Sequence, residues 1–175
     1  MVETYTYFRR TKVSRDAVVY KGALEEMPNP ETGPAPTYVA EMSFRTFALH
    51  ENTDSGTRIL LTGHYEGILG RSAVIKGDHL LSMAKEGGLF DDGWSFTYMA
   101  DSYRWRVAWF GRRWTLEDRN KNVLAKLERA SFKYTKIGVL EILTEMDDDL
   151  KALVLITCEV VHRTIKSSEA AAASS

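Results

Sequence analysis

The side chains able to carry chemistry are few and scattered. They are His50, His64, His79 and His162, the single Cys158, and the run Asp147, Asp148 and Asp149. No two histidines stand at the spacing of a helical metal motif, and no cysteine–histidine cluster builds a zinc site. One cysteine excludes a disulfide framework. Cys158 lies in an apolar stretch, where a buried inert thiol is favoured over a nucleophile or an acylation site. Three consecutive aspartates do not point one way, so capping a helix suits them better than holding a cation. Asn52, Asp54 and Gly56 faintly resemble a calcium loop but lack its later carboxylates, and a plain turn accounts for them. Gly67, Gly70, Gly87 and Gly88 match no phosphate loop, and neither Gly-x-Ser-x-Gly nor His-Glu-x-x-His occurs. No catalytic motif, metal or cofactor is expected.

Charge gives a second lead. The 175 residues carry 24 acids and 23 bases, a net charge of -1. Residues 102–136 hold ten bases against three acids, while the remainder is acidic. Such a cationic segment suits anionic lipid, each base near the surface contributing about 1 kcal/mol. It also suits nucleic-acid phosphates, or it is a solvated face and nothing more. The aromatic residues of this segment alternate inward, away from any base they would need to stack on, so nucleic acid is the weakest reading.

The elements that must position these residues are mostly strands. Hydrophobic residues make up 44% and charged residues 27%, the balance of a globular domain. Pro28, Pro30, Pro34 and Pro36 mark residues 28–36 as a loop. Before it stand two short β-like runs, Tyr5 to Phe8 and Ala17 to Tyr20. After it, residues 37–49 read as a strand, residues 51–56 as a turn, and residues 58–64 as the return. Residues 94–116 hold all four tryptophans. Tyr103, Trp105, Val107 and Trp109 alternate with Arg104, Arg106 and Ala108, the period of a half-buried strand. A two-residue turn at Phe110 and Gly111 pairs Trp105 with Leu116 and Val107 with Trp114 inside. It pairs Arg104 with Glu117 and Arg106 with Thr115 outside, sorting like with like. Residues 118–122 form the next turn. Val123, Ala125 and Leu127 continue the inner face, and strands follow at residues 132–136 and 139–143.

From Leu150 to Ile165 the pattern becomes a helix of about four turns, apolar nearly all round from Ala152 to Cys158. A helix of that kind must be enclosed on every side. Glu159 interrupts it, and either lies near a mouth or pairs with Arg163 one turn on. His162 is read as favouring the helix C-terminal dipole. Residues 167–175 read as a flexible tail. Many short antiparallel strands and one enclosed helix predict a mainly β fold, a closed barrel around a C-terminal hydrophobic helix. An eight-strand barrel is filled by its own side chains, so a wider one is required. The alternative is an open sheet gripping the helix along one face, above a ligand cavity.

The order of Tyr103-Arg104-Trp105-Arg106, Trp114 to Asp118, Asn122 to Leu127 and Val139 to Leu143, followed by the apolar helix, resembles the tubby C-terminal-like superfamily. That superfamily includes tubby domains, phospholipid scramblases and plant LURP-one-related proteins, and the likeness is nearest to fungal members without an assigned activity. It implies a single domain over residues 1–166, with about twelve strands around a central helix at residues 150–165. It also implies a phosphoinositide or other anionic-lipid partner, since tubby domains bind such head groups. On charge and resemblance together, the head-group candidates are Arg104, Arg106, Arg113 and Lys126.

The sequence thus predicts a noncatalytic module acting at a membrane periphery or on another protein. The alternative is a carrier of an apolar small molecule, with space beside Val154, Val161 and Ile165. No apolar run reaches the roughly 20 residues of a membrane span. The opening residues Met1 to Tyr5 have neither basic nor apolar signal-peptide character, so a cytoplasmic protein is expected.

Overall fold

A computed structural model describes residues 2–11, 14–66, 72–77, 80–86, 93–108, 112–130 and 135–173. Twelve strands run in chain order: β1 (Glu3–Arg9), β2 (Ala17–Lys21), β3 (Tyr38–Met42), β4 (Thr46–Thr53), β5 (Gly56–Glu66) and β6 (Ser72–Lys76), then β7 (Leu80–Glu86), β8 (Gly93–Tyr98), β9 (Asp101–Val107), β10 (Arg113–Asp118), β11 (Val123–Arg129) and β12 (Lys136–Ile142). Each pairs antiparallel with its neighbours in sequence, and β1 closes the barrel against β12 from Glu3–Ile142 to Phe8–Lys136. Closure leaves no sheet edge to recruit another chain. The helix α1 (Asp148–Ala173) threads the barrel. This is the closed barrel around a hydrophobic helix that the strand pattern predicted, and not an open sheet gripping a helix.

The period-two reading of β9 and β10 holds in detail. Trp105 faces Leu116, Val107 faces Trp114, Arg104 faces Glu117 and Arg106 faces Thr115. The turn assigned to Phe110 and Gly111 lies outside the described residues, as does most of the strand expected at residues 132–136. Three expectations are corrected. The run 37–49 is two strands, because Ser43, Phe44 and Arg45 turn the chain. Ser43 Oγ accepts the Thr46 amide at 2.9 Å, supplying a turn without glycine or proline. The following turn is only Asp54 and Ser55, with Gly56 at φ 129°, a left-handed conformation glycine adopts without strain. Val123 is exposed rather than inward, because a register shift between Leu116 and Glu117 rotates the start of β11.

Inside, the helix is nearest β5 and β4. Gly63 on β5 makes room there: a Cβ on it would lie 2.3 Å from the Phe47 ring. The opposite wall is built from bulk. Trp94, Trp105 and Trp114 are fully buried, and the rings of Phe96 and Tyr103, also in the core, stack on each other at 5.3 Å. A glycine among the inward residues of one wall and tryptophans on the other let an off-centre helix fill the lumen. Three buried side chains are tied by hydrogen bonds. Trp105 Nε1 donates to Thr157 Oγ1 at 2.9 Å, Thr157 donates to Leu153 O at 2.7 Å, and Tyr7 donates to Leu155 O at 3.1 Å.

The strands β1 and β2 make the N-terminal segment part of the barrel wall. β2 is apolar at four successive positions because both its faces are covered. Ala17 and Val19 face the helix, while Val18 and Tyr20 join Phe8 in an outer cluster under Leu24 and Met27. Thr6 Oγ1 fastens that cover, donating to Gly22 O and accepting the Leu24 amide. The Pro-rich residues 28–36 form the expected loop beyond it.

At its start α1 is capped as expected, Asp147 Oδ1 accepting the Leu150 amide at 2.7 Å. At its far end it runs past the expected Ile165 as far as Ala173. The segment read as a flexible tail is therefore helical there, and its alanines are the strongest helix formers. Among the described residues no helix is long and apolar enough to cross a membrane.

Candidate functional site

Up-and-down topology gives the barrel two ends with different contents. Connections 22–37, 54–55, 99–100, 119–122 and 143–147 lie where α1 begins, the cap end. The connection 43–45, and the described parts of three others (residues 10, 11 and 14–16, residues 108 and 112, and residues 130 and 135), lie where it emerges, the exit end. Lys151 Nζ to Glu3 Oε1 at 3.0 Å marks the first, and Arg163 donating to Ser43 O at 3.0 Å marks the second.

Each sequence-predicted head-group candidate lies on the outer wall of β9 to β11. Arg104 lies across Gly93, where an added Cβ would stand 2.7 Å from its Nε, so part of its role is packing. Arg106 Nε meets Glu117 Oε2 at 2.8 Å, so Glu117 engages the diagonal arginine as well as facing Arg104 in register. Arg113 sits at the exit-end start of β10, exposed, with Glu128 a loose 3.8 Å away. Lys126 is exposed in mid-strand and faces Thr115 on one side and Glu141 on the other. The structure thus places Arg106, Thr115 and Lys126 in one cross-strand row, with Arg104 and Arg113 in the flanking rows.

That wall continues into a cationic exit end. Among the described residues, Arg10, Arg15, Arg45, Arg112, Arg113 and Arg163 stand at that end on five separate connections and elements, outnumbering Asp16, Glu66 and Glu128 there. Phe44, 80% exposed at the tip of the β3–β4 turn, stands on the same end with the Arg15 guanidinium 4.4 Å over its ring, while Arg112 and Arg113 lie five strands round the barrel from β3. Sequence reading missed this feature, because its members are spread from residue 10 to residue 163. The cap end is the reverse, with Glu3, Glu51, Asp54, Asp147, Asp148 and Asp149 around the start of α1. Both signs match the helix, whose dipole is positive where the acids lie and negative where the arginines lie.

The histidines do not converge. His50 Nε2 lies 3.2 Å from Glu41 and His64 Nε2 lies 3.6 Å from Glu66, both on the wall, and His79 lies outside the described residues. His162 is corrected from a helix-terminal residue to a core residue, 2% exposed and eleven residues short of the helix end. It is the partner of Glu159. Both Glu159 oxygens lie 3.3 to 3.4 Å from His162 Nδ1, and Glu159 is 1% exposed. Arg163, the partner expected from sequence, instead reaches out to the β3–β4 turn. An i,i+4 rule describes a helix in water; inside a barrel, the face that is enclosed decides which neighbour is available. Trp114 packs beside the His162 ring at 6.1 Å. Cys158 is buried, and burial pushes its thiol well up from the usual range, consistent with an inert side chain. Among the described residues no three His, Cys, Asp or Glu side chains form a metal-holding group. Val154 and Val161, beside which a carrier would need space, are 0% exposed.

No family model, curated protein or solved structure matches the chain.

Proposed function

We propose that this chain is a noncatalytic, tubby-like module that docks on anionic phospholipid surfaces at the membrane periphery. The carrying observation is the continuity of the cationic wall of β9 to β11 with the arginine-rich exit end, where Phe44 projects. The twelve strands and the enclosed helix are the architecture that the family resemblance implies, which supports the reading. Arg113 and Lys126 contact head groups most directly, being exposed. Arg104 and Arg106 contribute field from positions anchored by Gly93 and Glu117. Phe44 enters the interfacial layer, where an aromatic ring beside basic residues is favoured.

Flotation with vesicles tests this. Neutral phosphatidylcholine vesicles should leave the protein behind. Vesicles containing phosphatidylserine or a phosphoinositide should carry it upward, less so as salt rises. Failure to float with either anionic vesicle at low salt would overturn the lipid reading and leave protein interaction as the remaining role for this face.

A further inference from the structure

We propose that a cleft at the cap end binds a small organic cation bearing an apolar tail, such as an alkylammonium. The cleft has a volume of about 330 Å³, at the lower end of the range of small-molecule sites. It lies on the opposite end of the barrel from the proposed lipid face, and its reading is independent of that one.

The cleft exists because the wall is low there. Among the described residues, β6 pairs with β5 only as far as Thr62–Lys76, while β5 continues outward to Gly56. Gly77 follows β6, and a Cβ on it would stand 2.4 Å from Leu61 Cδ2, so a larger residue would displace that side chain. Leu60, Leu61, Leu81 and Leu153 supply an apolar floor, and Ile59, 60% exposed, extends it to solvent.

The rim is acidic. Glu51, Asp148 and Asp149 line it; Arg58 engages Glu51 at 2.7 Å and Lys151 lies a loose 3.6 Å from Asp148, which leaves Asp149 as the carboxylate facing the cleft without an ion pair among the described residues. Two tyrosines line its walls. Burial raises the Tyr38 hydroxyl first and Glu51 raises it further, with Lys151 opposing. Burial likewise raises Tyr98, followed by Asp147 and Asp149. A leucine floor and a carboxylate rim are separate features of this partly open cleft, and together they select a ligand with a tail for the first and a positive head for the second. A like-sized anion meets repulsion at the rim. A neutral molecule gains only the floor.

Methyl-resolved NMR with hexylammonium, hexanol and hexanoate as probes tests the proposal. Hexylammonium should shift the Ile59, Leu60, Leu81 and Leu153 methyls saturably, hexanol more weakly, and hexanoate not at all. The Glu51→Gln, Asp149→Asn double variant should weaken hexylammonium about tenfold, the equivalent of about 1.4 kcal/mol, and leave hexanol unchanged. Methyl shifts elsewhere in the barrel report whether that variant keeps its fold. Raising the salt on the unmodified protein makes the same distinction without any substitution. Equal binding of hexanol and hexylammonium, equal binding of hexanoate, or no saturable shift would each overturn the proposal.

Discussion

The two ends of this barrel are built on the same alternation of strands and do different things with it. At the cap end, several polar groups engage one another and the acid left over, Asp149, lines the cleft. Asp147 caps the helix, Glu3 holds Lys151, and Glu51 holds Arg58. At the exit end, arginines from separate connections ring the barrel mouth, one of them stacked on an exposed Phe44, and a buried Glu159–His162 pair lies within. The first arrangement fixes where the helix starts. The second puts like charges together, which raises the free energy of the isolated protein and lowers that of a complex with an anionic surface. Surplus like charge is therefore a better pointer to function here than any one residue type.

The comparison breaks most completely if the wall itself is opened. Deleting residues 1–27 removes β1 and β2 and leaves β12 and β3 with unpaired edges. The expected outcome is loss of a cooperative urea transition, followed by circular dichroism; a truncated chain that unfolds cooperatively at the original midpoint would contradict the closed barrel. Next comes the buried pair. Glu159→Ala leaves His162 enclosed without its acid and should cost about 3–5 kcal/mol, read from the urea midpoint. Replacing both with leucine should cost less than the single change, because no buried polar group is then orphaned.

The cap end should respond more gently. Asp147→Ala removes one side-chain acceptor from the first turn and should cost about 1 kcal/mol in the same assay. A loss as large as that of Glu159→Ala would erase the distinction between a surface cap and a buried pair. Arg113→Ala is expected to leave stability unchanged, since its Glu128 contact is exposed and long. It should weaken anionic-vesicle binding about fivefold, the worth of about 1 kcal/mol per surface base.

The smallest effect is a pH dependence. The Tyr5 hydroxyl, 2.5 Å from Glu3, and then Lys151 hold the Glu3 carboxyl below its ordinary value. The folded chain therefore binds this proton less readily than the unfolded chain. The stability it adds is complete above the unfolded carboxylate pKa and is lost as pH falls through the folded one. Glu3→Gln should flatten the decline of the urea midpoint between neutral and acid pH; an unchanged slope would remove Glu3 from the account.

Much of the fold was legible because strand alternation is a local signal. Tyr103, Trp105 and Val107 declare their face within five residues, and the β9–β10 register follows even without the turn in view. The apolar band from Ala152 to Cys158 declares an enclosed helix, and enclosure sets the barrel width. What stayed hidden depended on distance in sequence or on exceptions to period two. The Ser43 turn uses a hydroxyl where glycine or proline would have signalled it. The bulge at Leu116 and Glu117 turned Val123 outward without any change in composition. His162 stood three residues from Glu159, but the surface rule favoured Arg163. The candidate head-group arginines were visible as a charged segment. Their continuity with Arg10, Arg15, Arg45 and Arg163 was not, because only barrel closure brings those residues to one end.

The central claim is that the two ends recognise opposite charges. NMR spectra of the same labelled sample, titrated separately with phosphatidylserine nanodiscs and with hexylammonium, test it most directly. The account predicts that nanodiscs broaden signals of Arg15, Phe44, Arg45 and Arg113 at the exit end, while hexylammonium moves Ile59, Leu81 and Leu153 at the cap end. Perturbation of the same end by both ligands, or of neither end, would contradict it.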